Sequence, residues 1–162
     1  MNQEDYGERY QDHFMDQYKL YVEMADRVSQ RRDQSNRFHS ALLTGLLAVI
    51  SVVANLTNWQ TSDHLPAVIF LTVALVGLVI CAIWFINVRS YRQLNSSKFK
   101  IIHELEEQLP FPCYRKEWDI LRPEAGKKRY LQITRIEQFV PFVLSIPYLV
   151  LMGYSLFMWI SR

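Results

Sequence analysis

The string His103-Glu104-Leu105-Glu106-Glu107 is the densest run of reactive side chains in the chain. A zinc hydrolase of the HExxH type needs two histidines one helical turn apart as ligands, with the first glutamate as base. Here Glu107 stands in the place of the second histidine, so the ligand pair is missing. Lys98 and His103 give KxxxxH, whereas the HEPN ribonuclease motif has arginine first. Lys100 and Glu104 are four residues apart, the spacing of a pair on a solvated helix surface. His13, His39 and His64 are isolated from one another, and Cys81 and Cys113 form no CxxC or Cys/His cluster. Phosphate-binding, dinucleotide-binding and nucleophile-elbow patterns are absent. The expectation is that the chain is not an enzyme and has no catalytic, cofactor-binding or metal-binding residues.

The elements that carry these residues are set by how hydrophobicity is distributed. Half of the 162 residues are hydrophobic, and they concentrate in three blocks with the charged residues between them. Such segregation marks membrane spans, whereas a soluble domain mixes the two types at helix or strand period. The blocks are residues 38–59, 65–88 and 139–160, and none contains a charged side chain. At 1.5 Å per residue, 22 residues make a helix of roughly 33 Å, enough for a hydrocarbon core of about 30 Å. Pro66 suits a first helical turn. Pro141 and Pro147 in the third block are tolerable where neighbouring helices relieve the freed carbonyls. Thr134 and Glu137 fit a capping box ahead of it. Trp59, Trp84, Tyr154 and Trp159 lie near block ends, where interfacial aromatics belong.

Lysine and arginine placement sets the direction. Residues 1–37 hold six, residues 89–138 hold eleven, the connector 60–64 holds none, and Arg162 is the only other. The positive-inside rule assigns the basic segments to the cytoplasm. The fold class expected is an all-α membrane protein with three transmembrane helices and a cytoplasmic helical bundle, N-terminus in and C-terminus out. Residues 1–37 form the N-terminal amphipathic helix, 89–138 the second cytoplasmic segment and 161–162 an external tail. The polar start is wrong for a cleavable signal peptide, so the first span is expected to act as its own uncleaved signal.

Within the cytoplasmic part, Phe14, Tyr18, Tyr21, Ala25 and Val28 recur at steps of 4, 3, 4 and 3, a narrow heptad-like stripe. It predicts either packing on the 89–138 segment of the same chain or a subunit–subunit seam. Tyr91, Leu94, Ile101, Leu105 and Leu109 predict the apolar side of a helix continuing out of the second span to Leu109, stopped by Pro110 and Pro112. A short helix over 114–121 is expected to carry Trp118 inward, and residues 122–129 read as a polar loop with a basic tip.

The spans lack mid-membrane charge, which argues against a coupled transporter or pump. The first span instead carries Ala41, Thr44, Ala48, Ser51 and Asn55 at steps of 3, 4, 3 and 4, all on one face. This face predicts close helix packing or the lining of a pore in an oligomer, with Asn55 and Thr57 towards its outer end. Ala67, Ala74, Gly77 and Cys81 give the second span a small-residue face. Arg27, Arg31, Arg32 and Arg37 approach the cytoplasmic leaflet, either for anionic lipid contact or as a basic pore vestibule. A net charge of +2 gives no ground for nucleic acid as a partner; a cytoplasmic protein partner stays open.

Three strings together resemble a known family: YKLYVEMADRVSQRR (18–32), SYRQLNSSKFKIIHELEEQLP (90–110) and RYLQITRIEQFVP (129–141). They are similar to the bacterial RipA-like family of small octameric membrane proteins, over roughly residues 10–145. The resemblance implies a multi-pass inner-membrane homo-oligomer, expected to be an octamer, and brings no established enzymatic activity. A looser likeness in plan exists to octameric membrane-pore accessory proteins of RNA-targeting CRISPR systems, which implies a stress or phage-defence role by analogy. The leading expectation is an oligomer that forms or gates a pore. The alternative is a non-conducting scaffold that recruits cytoplasmic partners through residues 89–138.

Overall fold

The computed structural model describes residues 6–56, 65–121 and 136–161. Four helices account for nearly all of them: α1 (Tyr10–Leu56), α2 (Leu65–Glu106), α3 (Cys113–Leu121) and α4 (Val140–Ile160). Among the described residues there is no strand. Three of the helices, α1, α2 and α4, are long and apolar enough to cross a membrane. The chain divides into two compact units, one of residues 1–32 and 90–132, the other of 33–89 and 133–162.

The first unit pairs the start of α1 with the end of α2. Gly7, at φ +86°, supplies a left-handed residue before α1, and the Tyr10 amide bonds back to its carbonyl at 3.1 Å. Beyond it no proline interrupts α1, which continues for 47 residues. The pairing with α2 is antiparallel: Tyr10 reaches Gln108, Tyr18 reaches Glu106, and Lys98 Nζ sits 5.2 Å above the Tyr21 ring. Among the described residues of this unit, Ala25, Ile102 and Glu106 are buried.

Two sequence expectations shift here. The helix out of the second block ends at Glu106, three residues before Leu109. Pro110 disfavours helical geometry in the residue ahead of it, and the chain tightens so that the Gln108 and Leu109 amides bond to the carbonyls three residues back. The inward face is also turned: Leu94 and Ile101 are exposed, whereas Ile102 and Glu106 are buried. A glutamate at an inward position breaks the apolar pattern that assigned the face.

The second unit packs the apolar parts of α1 and α2 with α4. Its core is Leu43, Cys81, Trp84, Val88 and Tyr148, with Leu46, Leu47, Ile50, Leu78 and Leu144 around it. Ala67, Ala74, Gly77 and Cys81 are all buried, so the small face of α2 is a packing face. The Tyr148 ring lies directly over Gly77, where an added Cβ would have no room. Phe85 meets Phe142 edge-on at 5.0 Å between centroids, which continues the antiparallel α2–α4 contact.

In α4, Pro147 lies inside the helix and Pro141 in its first turn. The N-cap is Phe139, with no side-chain cap bond, so the expected capping box does not start this helix. Thr134 lies outside the described residues, as do Thr57, Trp59, the connector 60–64 and the basic loop 122–129. Trp84 is buried, stacked on His39 at 5.8 Å with its indole N–H donating to the Asn36 side chain at 2.9 Å. Tyr154 and Trp159 are exposed.

Candidate functional site

All five residues of the first-span stripe, Ala41, Thr44, Ala48, Ser51 and Asn55, are exposed. Leu43, Leu46, Leu47 and Ile50 on the other side of the same helix face the core of the second unit. Thr44 donates to the Ser40 carbonyl at 2.9 Å and Asn55 to the Ser51 carbonyl at 2.9 Å. These bonds satisfy side-chain donors within the helix itself, which makes a polar face tolerable in an apolar surrounding. The exposed side chains of α2 and α4 differ in kind. Val68, Leu75, Val79, Ile83, Ile86, Phe142, Val150 and Phe157 are bulky and apolar, as a lipid-facing surface would be. One face of α1 therefore gathers small and polar residues, although Leu42, Val49 and Val52 of the same helix and Thr72 of α2 are exposed as well.

The basic cluster is partly balanced. Arg27 pairs with Glu23 at 2.7 Å and Arg37 with Asp33 at 2.8 Å, both one turn earlier on α1. Such exposed pairs are worth about 0.3–0.5 kcal/mol, but each cancels the charge that a vestibule would display. Arg31 is exposed and Arg32 half-buried.

The stripe Phe14, Tyr18, Tyr21, Ala25 and Val28 lies on the inward side of α1, with Ala25 buried and the others half-buried. Tyr18 and Tyr21 reach Glu106 and Lys98 of the same chain, and Phe14 stacks on Tyr10 at 6.1 Å between centroids. Tyr18 and Tyr21 of this stripe thus have partners on α2 of the same chain.

Glu106 is the residue that the sequence reading passed over. Its Oε1 accepts the Tyr114 amide at 2.8 Å and the Tyr18 hydroxyl at 3.2 Å, and its Oε2 accepts the Arg115 amide at 3.0 Å. The amides belong to the first turn of α3, where donors lack helical partners and negative charge is favoured. Glu106 thus caps α3 from the end of α2 and ties both to α1. Burial, and then the Glu106 charge and hydrogen bond, push the Tyr18 phenol up to about 12. Burial followed by Glu117, Glu106 and Asp26 also raises Tyr114. Arg115 adds an exposed pair with Glu107 at 3.2 Å. The signal available in sequence was an acid one turn after Ile102, within an acidic string just ahead of a Pro-x-Pro stop.

Trp118 is not carried inward. It is 38% exposed, and α3 has no buried residue. Phe111 at 61% and Ile120 at 80% are more exposed still. Among the described residues no group of three His, Cys, Asp or Glu could hold a metal ion.

Three long apolar helices, with paired helix ends forming a separate polar unit, define a multi-pass helical membrane protein. The chain belongs to the octameric membrane protein family, whose model matches residues 15–157. Self-association as an octamer comes with that membership. Neither the curated proteins nor the solved structures compared with the chain gave a match.

Proposed function

We propose that eight copies form or gate a pore, lined by the α1 face that carries Ala41, Thr44, Ala48, Ser51 and Asn55. The observation behind this reading is that every residue of that face is exposed in the single chain, while larger apolar residues cover α2 and α4. Three helices are too few to enclose a channel alone, so the lumen needs several subunits. In this reading the protein sits in the bacterial inner membrane with both polar segments in the cytoplasm, because basic residues crowd onto those segments. It acts without catalysis, and anionic head groups meet Arg31 and its basic neighbours. A role in stress or phage defence remains part of the proposal by analogy of plan.

The test is single-channel recording of the purified octamer in planar bilayers. Conductance that falls in Ser51→Leu and Asn55→Leu is the expected result. No conductance under any gating condition would overturn the reading. A scaffold is the second reading, supported by the apolar side chains that α3 leaves exposed. Cellular activity that survives both leucine variants but is lost on changing Trp118 would favour it.

A further inference from the structure

The first unit exposes apolar side chains on two opposite flanks. On one flank lies α3, held there by Glu106, by Tyr114 against Phe99 with ring centroids 5.9 Å apart, and by the Arg115–Glu107 pair. Phe111, in the turn just ahead of α3, and Ile120, near its end, are both exposed.

The other flank follows from helix phase. Ala25 and Ile102 are the inward residues of α1 and α2. In an antiparallel pair, the residue one place before each inward position emerges on the same flank. Those residues are Met24 and Ile101, both exposed. Ile101 lies about 160° round α2 from Phe99, and so on the side away from α3. Leu20 and Leu94, one or two turns away on the same faces, are exposed as well. Leu20 and Met24 of α1 and Leu94 and Ile101 of α2 thus emerge on one flank, away from α3, with the Lys98–Tyr21 contact between the two helices. Lys19, Glu23 and Lys100 stand beside these residues in sequence and are exposed. A surface so interleaved with charge is unsuited to hydrocarbon and fits a protein partner.

We infer that the occupant is a second copy of this chain: Phe111 and Ile120 of one copy dock on Leu20, Met24, Leu94 and Ile101 of the next. A contact that joins two different surfaces on opposite sides of a subunit is head-to-tail, and it gives a ring where the rotation between copies closes and a filament where it does not. An octamer is such an assembly when every copy uses both surfaces. The inference rests on family membership and is independent of whether the ring conducts. It also gives Glu106 a second consequence, since the carboxylate that caps α3 sets where the docking residues of each copy point.

The experiment uses the full chain with Cys81→Ala and Cys113→Ser. One tagged copy carries Ile120→Cys and a differently tagged copy carries Leu20→Cys; the two are co-expressed in membranes and treated with a short bis-maleimide. The expected product is a covalent dimer bearing both tags, formed only when both variants are present. A single chain carrying both cysteines should give a ladder reaching eight times the monomer mass. Absence of the mixed dimer from particles that retain octamer size would overturn the inference. So would a dimer formed by Ile120→Cys alone, because like surfaces would then meet. A third arm reads the Ile120→Trp variant against brominated lipid, where strong quenching would assign the surface to the membrane and overturn the inference.

Discussion

The hydroxyl of Tyr18 donates to Oε1 of Glu106 across 3.2 Å, joining the start of α1 to the end of α2. The same carboxylate caps α3, so one buried acid serves three helices. Replacing it by glutamine keeps the volume but removes the charge and turns an amide donor towards backbone N–H groups. Glu106→Gln is expected to cost about 1–3 kcal/mol and to speed amide exchange through α3 more than in α4. Hydrogen exchange with mass spectrometry checks this. Equal protection of α3 in both proteins would show that the cap is dispensable.

The Tyr18 phenol gives a pH dependence. Its folded pKa of about 12 exceeds the ordinary 10.0. The folded state therefore holds this proton more tightly than the unfolded chain. Its contribution is fully present below pH 10 and is lost as pH rises towards 12. Thermal melts across the alkaline range should show a decline that is shallower in Tyr18→Phe. Parallel curves for the two proteins would remove Tyr18 as the cause.

Gly77 lies under the Tyr148 ring with no space for a methyl group. Gly77→Ala is expected to destabilise the protein by about 1–3 kcal/mol through overpacking. Gly153 has nothing within 4 Å of an added Cβ, and Gly153→Ala should leave stability unchanged or slightly raised. Gly77→Arg would be worse than either, because a mid-span arginine costs about 2.5–3.5 kcal/mol on insertion. Melting temperatures in detergent, with yield from the membrane fraction, rank the three. An unaltered Gly77→Ala would contradict the close α2–α4 contact.

Trp84 stacks on His39 and donates to Asn36. Trp84→Phe keeps an apolar ring but leaves the Asn36 carbonyl without the indole donor, a loss of about 1 kcal/mol. Tryptophan emission of the wild type should also contain a blue-shifted component that Trp84→Phe removes. An emission spectrum unchanged in shape would place Trp84 in contact with water.

Much of the architecture was legible in the chain. The three apolar blocks became α1, α2 and α4 because absence of charge over more than a span's length leaves few alternatives. The small face of α2 emerged as packing, since Ala67, Ala74, Gly77 and Cys81 hold to helical spacing. What escaped was polar and long-range. Glu106 looked like one acid in an acidic string, and its three partners lie 8, 9 and 88 residues away. The apolar side of α2 read from Leu94 and Ile101 is exposed, while Ile102 and Glu106 are buried, because a buried glutamate does not count towards an apolar stripe. A pattern counted by hydrophobicity selects the stripe that wants a neighbour, and cannot say whether that neighbour is in the same chain.

Two buried hydroxyls of α4 end on main-chain oxygen: Tyr148 on the Leu43 carbonyl at 2.6 Å, and Ser155 on that of Ala67. Half of each contact therefore belongs to no side chain. Replacement of Leu43 or Ala67 alters bulk but leaves the acceptor in place, whereas loss of either hydroxyl removes its bond outright. Hydrogen-bond identity across this helix seam is therefore lopsided: it is carried by side chains of α4, while α1 and α2 answer with main chain and are constrained by bulk alone.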